Sequence, residues 1–333
     1  MLIMNYEKYA LIDLHLHLDG SLSPEIIIEI AKEEKLKLPS YEPNELRKYL
    51  EVPENCQSLN EYLTRFDIPN LVLQTKNGLR KCLLDLLKRE ANDGLKYVEI
   101  RMAPQLSTAK GLSQEEVVQE LIKAKEEAQK LYGIKSNLIL CLMRGNNNNV
   151  ANLETVKIAS KYLHRGVVAL DLAGAEALFP NEMFADMFLL ANNLEIPFTL
   201  HAGEAAGADS VRSAISYGAK RIGHGINSIH DEQLMKYLAD EKIPLEICPK
   251  SNLDTKTIKS FDELPIKEFL NRGIMVTINT DDMTVSNTNL KNEYKILAKI
   301  GLTDKQMRQI AINSINAAFI NEAEKKELLM FLN

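Results

Sequence analysis

The chain predicts an α/β fold, a (β/α)8 barrel of the TIM type with a helical insertion after its first strand. Three observations carry that expectation. Eight short runs rich in β-branched residues recur between helical patterns, no linker or composition break divides the 333 residues, and the polar clusters with chemical potential fall where those runs end. Residues 1–333 therefore read as one domain.

The first run, Leu11 to His17, is the most informative. Asp13, His15, His17 and Asp19 alternate there with Leu14, Leu16 and Leu18. Side chains two apart share a strand face but diverge by roughly 200° on a helix, so His15 and His17 can meet one metal ion only as strand residues. The leucines form the packing row behind them. Asp13 shares the polar row, with no chemistry assigned to it.

About eighty residues separate this strand from the next, twice what the other units need. The stretch from about 24 to 93 carries helical patterns at Pro24 to Leu36 and Ser58 to Phe66, and Ser23 before Pro24 supplies an N-cap. An insertion here emerges at the C-terminal mouth of a barrel and would act as a lid. Leu59, Tyr62, Leu63 and Phe66 recur at helical spacing and would form its inner face, although the stripe also suits ordinary core packing.

The remaining strands are expected at Tyr97 to Met102, Asn137 to Leu142, Val167 to Leu172, Pro197 to His201, Arg221 to His224, Pro244 to Ile247 and Ile274 to Asn279. Gly94, Gly133, Gly166, Gly218 and Gly273 mark the helix exits before five of them. Ser113 with Glu116, and Thr303 with Gln306, have capping-box spacing at helix entries.

Composition narrows the function. A net charge of −6 without a basic cluster argues against a nucleic-acid partner. No run of 18 apolar residues suggests a membrane span, and Met1 to Ala10, with Glu7 and Lys8, has no signal-length apolar core. Cys56, Cys82, Cys141 and Cys248 are far apart and form no Cys-x-x-Cys pair, so they read as buried thiols of a reducing cytoplasm. The Asn run after Gly145 reads as a solvated loop tip. There is no His-Glu-x-x-His, Gly-x-Ser-x-Gly, P-loop or Gly-x-Gly-x-x-Gly, nor a His-x-Glu with Pro-Cys-x-x-Cys.

The strand ends hold the chemistry. His15 and His17 end the first strand, Gly174 follows the fourth, His201-Ala-Gly-Glu204 ends the fifth, His224 the sixth, and Asn279-Thr-Asp281-Asp282 the eighth. Converging strand ends bring such distant residues to one point. Three imidazoles and a carboxylate suit zinc or another borderline divalent ion, whose bound water can act as a nucleophile at neutral pH. Hydrolysis is the expected chemistry. Glu204, three residues past His201, could serve as general acid or base without ligating, and of Asp281 and Asp282 one can ligate while the other orients water or substrate. His164 and His230 lie near helix ends and need no functional account.

These residues resemble the adenosine deaminase family. The likeness runs through His-Leu-His-Leu-Asp-Gly-Ser at 15–21, Phe66-Asp67, Val98-Glu-Ile-Arg101, Asp171-Leu-Ala-Gly174 and His201-Ala-Gly-Glu-Ala. It continues through Arg221-Ile-Gly-His-Gly225, Cys248-Pro-Lys-Ser-Asn252 and Asn279-Thr-Asp-Asp282. The resemblance implies that His15, His17, His201 and Asp281 hold one zinc ion per chain and that Glu204 protonates purine N1. It implies that His224 and Asp282 orient and help deprotonate the water, that the Gly174 amide contacts N3 and Asp282 contacts N7, and that His17 also touches substrate.

Asp19 resembles the group that binds the ribose hydroxyl in nucleoside-specific members, where relatives acting on free adenine carry Glu. The implied activity is deamination of adenosine and 2′-deoxyadenosine in purine salvage. The alternatives are deamination of another 6-aminopurine, or a catalytically silent nucleoside-binding protein. Two positions depart from the family: Met283 stands where proline is common, and Ala103 where some members have serine.

Overall fold

A computed structural model of the chain describes residues 9–332, so the reading of Met1 to Ala10 falls almost wholly outside the described residues. The eight runs form eight strands. They are β1 Ile12–His17, β2 Tyr97–Met102, β3 Lys135–Met143, β4 Val167–Ala173, β5 Thr199–Ala202, β6 Arg221–His224, β7 Leu245–Ile247 and β8 Val276–Ile278. The strands expected to begin at Pro197 and Pro244 start after those prolines, which have no N–H to give a ladder.

β1 to β4 and β5 to β8 make two parallel sheets in chain order. Two seams join them. At one, Leu170 bridges Phe198, and at the other Leu16 bridges Asp281. The second seam is backbone to backbone: His17 N–H donates to the Asp281 carbonyl and Asp281 N–H to the His15 carbonyl, both at 2.8 Å. The two sheets are thus bridged at both edges, the arrangement of a (β/α)8 barrel.

Helices surround it. Between β1 and β2 lie α1 Pro24–Glu34, α2 Pro43–Leu50, α3 Leu59–Tyr62, α4 Asp67–Val72 and α5 Lys76–Asn92. Then follow α6 Gln114–Tyr132, α7 Asn149–Tyr162, α8 Ala185–Asn193, α9 Ala208–Ser216, α10 Glu232–Asp240 and α11 Pro249–Asp254. The last are α12 Ile266–Asn271, α13 Leu290–Lys299, α14 Asp304–Ala317 and α15 Glu322–Leu329. Ser23 caps α1, and the capping boxes at Ser113 and Thr303 both form. The helix expected over Ser58 to Phe66 divides into α3 and a 3-10 turn, Leu63–Phe66. Among the described residues no helix is long and apolar enough to cross a membrane, and all four cysteines are free and buried.

Leu14, Leu16 and Leu18 are fully buried, as their alternation requires. Asp13 departs from its expected place. The β1–β2 register shifts between Asp13 and Leu16, the signature of a bulge, so Asp13 leaves the histidine row. Its carboxylate instead accepts from His15 N–H at 3.0 Å and from the Thr280 hydroxyl and amide at 2.6 and 3.1 Å. The other groups freed by the bulge are also matched: Asn279 Oδ1 accepts from Leu14 N–H, and the Leu14 carbonyl accepts from Arg101. Asp13 thus secures the β8 end against β1, beside the two residues that form the second seam.

Candidate active site

Four side chains from three strand ends meet at the mouth of the barrel. His15 Nε2 lies 3.0 Å and His17 Nε2 3.3 Å from His201 Nε2, while Asp281 Oδ1 lies 3.3 and 3.4 Å from His15 and His17. Asp281 reaches them from a left-handed backbone conformation, φ 63°, uncommon for a non-glycine residue and held here by the seam bonds on both sides of its peptide.

A second layer decides what these imidazoles offer. His15 Nδ1 meets Glu246 Oε2 at 2.7 Å, and His201 Nδ1 meets Asp171 Oδ2 at 2.9 Å. With the ring proton committed to a carboxylate on Nδ1, each Nε2 presents a lone pair. Two lone pairs facing each other at 3.0 Å repel unless a cation sits between them, so the donor set fits a divalent metal ion. Ser251 completes the layer by donating to Asp281 Oδ2 at 2.6 Å.

The carboxylates of that layer are themselves held. Arg101 bridges Asp171 and Glu246 at 2.9 Å each, and Arg221 binds Glu246 at 2.6 Å and Glu99 at 2.7 Å, under the ring of Phe319. Burial alone would raise the Glu246 and Asp171 carboxyls. For Glu246 the two guanidinium charges outweigh it, and for Asp171 the His201 contact and the Arg101 charge do, so both stay ionised.

His224 also lies within ligating distance of His15, His201 and Asp281. Its tautomer argues against a ligand role. Asn252 accepts from Cys248 N–H through Oδ1, which turns its Nδ2 toward His224 Nδ1 at 3.0 Å. Nδ1 is therefore the acceptor and Nε2 carries the proton, 3.6 Å from Glu204 Oε2. Burial holds this imidazole well below its ordinary range, and so neutral. The residue between the two pairs matters too: a Cβ on Gly223 would stand 3.1 Å from both His15 Cε1 and His201 Cα.

Glu204 sits on a loop that one buried carboxylate organises. Glu176 accepts the N–H groups of Gly203, Glu204, Ala205 and Ala206 at 2.7 to 3.0 Å, and the Ser210 hydroxyl at 2.5 Å. Burial first, then the Asp281 and Glu176 charges, push the Glu204 carboxyl up to about 8. It is an acid at neutral pH.

A cavity opens above this centre, lined by Asp19, Gly174, Glu204 and Asp282 as expected, and by Leu59, Tyr62, Leu63 and Phe66 of the insertion. α5, by contrast, lies in the outer layer against α6. Three buried oxygens in the cavity wall have no partner: Asp19 Oδ1, Glu204 Oε1 and Asp282 Oδ1. Unpartnered buried oxygens are costly in a folded chain, so a wall that holds three of them fits a polar ligand. Burial raises Asp19 to about 6, and burial with the Asp281 and Asp19 charges raises Asp282 well above the carboxylate range. No lysine or arginine lines the cavity among the described residues. His164 and His230 are exposed.

A model of the adenosine deaminase family matches residues 10–332. The chain belongs to the adenosine deaminase family. It is 47% identical to an adenosine deaminase of Haemophilus ducreyi, across 98% of this chain and 97% of that one. An adenine deaminase from Arthrobacter aurescens shares its fold with a TM-score of 0.88 at 26% identity, covering 97% of this chain and 98% of the other. An Arabidopsis N6-mAMP deaminase gives 0.85 at 25% identity, with 98% of both chains covered.

Set against the adenosine deaminase pattern, Met283 has a structural reason. Its N–H donates to Ser21 Oγ at 3.0 Å, a bond proline could not give. Ala103 packs with Cys141 and Ala173 in the cavity wall. Sequence reasoning assigned no role to Glu99, Arg101, Asp171, Arg221, Glu246, Glu176, Ser251 or Asn252. For Glu99, Arg101, Asp171, Arg221 and Glu246 the signal available was charge itself, because acidic and basic residues inside apolar strand runs must be paired; Glu176, Ser251 and Asn252 carried none.

Proposed function

We propose that this chain hydrolyses adenosine and 2′-deoxyadenosine to inosine and 2′-deoxyinosine with release of ammonia. The observation that carries the reading is the set of unpartnered buried oxygens of Asp19, Glu204 and Asp282 in the wall of one cavity, beside the cluster of His15, His17, His201 and Asp281. His15, His17, His201 and Asp281 would hold one zinc ion, a set of nitrogen and oxygen donors suited to it. When bound, zinc supplies a water acidic enough to act as nucleophile at neutral pH.

The chain's own groups do the rest. Glu204, protonated at neutral pH, donates to purine N1 and so draws electron density from C6, where the amino group leaves. His224 presents Nε2–H, which supports its orienting role and not proton acceptance at that nitrogen. Asp282 Oδ1 meets N7, the Gly174 amide meets N3, and His17 borders the substrate. Asp19 Oδ1 takes the ribose hydroxyl. A wall without cations favours a nucleoside over a nucleotide. We place this activity in purine salvage, and four unpaired buried thiols support a cytoplasmic setting.

A second reading, deamination of adenine or a modified adenosine, draws on the adenine and N6-mAMP deaminases that share the fold. One panel decides. Zinc-loaded protein offered adenosine, 2′-deoxyadenosine, adenine and AMP should release ammonia fastest from the first two. No turnover of adenosine overturns the proposal, and preferred turnover of adenine or AMP establishes the second reading.

A further inference from the structure

Tyr62 ends α3 and is 2% exposed. Its ring packs with Leu59, Phe66 and Cys56 around Val285, a residue of the loop after β8. That contact needs only a phenyl ring. The hydroxyl does something else: it donates to Asp282 Oδ2 at 2.9 Å and meets Ser286 Oγ at 2.9 Å.

Asp282 is gripped on its other side as well. A Cβ on Gly20 would fall 1.7 Å from Asp282 Oδ1, so the carboxyl rests directly on glycine backbone from the β1 loop. Between Gly20 and Tyr62 the carboxyl is held in one rotation, with Oδ2 taken by the insertion and Oδ1 buried without a partner against Gly20, in a residue of the cavity wall. A backbone bond from Val52 N–H to the Val285 carbonyl at 2.8 Å ties the same two segments together.

We propose that Tyr62 is a positioning residue for the reaction, its hydroxyl fixing the rotation of the Asp282 carboxyl whenever the insertion is seated over the mouth. The inference rests on the functional reading above, in which Asp282 Oδ1 meets the purine. Seating of the insertion and presentation of Asp282 are then a single event. A phenylalanine would keep the packing and the cavity wall but leave the carboxyl free to turn.

The test is Y62F in the zinc-loaded full chain, with adenosine as substrate. A lost hydrogen bond to a carboxyl predicts a fall in kcat of about tenfold. KM should hold within about threefold, because the ring still lines the cavity. A kcat within twofold of wild type, on the order that surface changes give, overturns the proposal. The same substitution made in D282N should add no further loss. An equal loss in both backgrounds overturns it too, since Tyr62 would then act through packing alone. If D282N turnover is below detection, inosine affinity by calorimetry supplies the four corners of that cycle, read the same way.

Melting temperature checks that each variant is folded. Should Y62F not fold, Y62L takes its place, filling the apolar site without a hydroxyl; a lower kcat at constant KM supports the role, and an unchanged kcat overturns it. Wild-type protein that leaves adenosine intact fails the functional reading instead, so the two failures are separate.

Discussion

The floor and the mouth of this barrel bury the same kinds of groups and treat them in opposite ways. On the floor, the carboxylates of Glu99, Asp171 and Glu246 each meet a guanidinium or imidazole, within 2.6 to 2.9 Å. At the mouth, Asp19, Glu204 and Asp282 each keep a buried oxygen with no partner. Opposite-charge pairing below supports rigid side-chain geometry, because ionised groups held by one another cannot reorient cheaply. Incomplete pairing above leaves capacity for a guest. The Glu204 and Asp282 carboxyls are raised and those of Asp171 and Glu246 lowered, although burial is alike in all four.

Breaking the floor should have the largest effect. Arg101→Met strands Asp171 and Glu246 in the interior, and the loss of a buried partner costs about 3–5 kcal/mol, which denaturant melts would show as a lower midpoint at constant slope. Breaking the mouth should spare stability and stop chemistry: Glu204→Gln should lower kcat by about 100- to 10,000-fold while metal content by elemental analysis stays at the wild-type level.

A milder break of the floor, Glu246→Gln, should weaken metal affinity by about 10- to 100-fold through a poorly oriented His15, measured by competition with a chromophoric chelator. The pH profile sharpens the contrast without mutation. Glu204 must be protonated to donate, and its carboxyl is raised to about 8. Activity as kcat/KM should therefore persist through neutrality and decline as pH rises past that value; a profile still climbing there would falsify the acid role.

Glu90 gives the smallest effect, and it tests whether unpartnered oxygens always mean a site. Both of its oxygens lack partners, yet it lies on α5, away from the cavity lining, and after burial the Asp13 charge acts on it most. Burial raises it to about 8 from 4.5, so its protonated form stabilises the fold fully below 4.5, and that contribution is lost as pH rises through 8. Glu90→Gln should leave kcat alone, and its melting temperature should gain on wild type as pH rises from about 4.5 to about 8 and hold that lead above it, by thermal scanning across pH.

Much of this was legible in the chain. Strand positions followed from β-branched runs, and the polar strand ends named His15, His17, His201, Glu204, His224 and Asp281, which the fold brings close together. What stayed hidden has physical causes. Asp13 looked like a member of the histidine row because alternation assumes an unbroken strand, and a bulge has no signature in Ile-Asp-Leu-His. Glu176 reads as a surface carboxylate until the 203–206 loop folds around it. Tyr62 showed its packing stripe but not its hydroxyl contact, which joins residues far apart in sequence.

The seam between the first and eighth strands has a consequence for how the chain is made. His15, His17 and Asp281 belong to the same backbone exchange, so the centre is stitched from the beginning and near the end of the polypeptide. A nascent chain on the ribosome exposes its first two imidazoles early and cannot assemble the cluster until the eighth strand emerges and closes the ring. On the proposed reading metal capture would be a late event in biogenesis, and a product truncated before the eighth strand would lack both the Asp281 carboxylate and the seam that aligns the imidazoles.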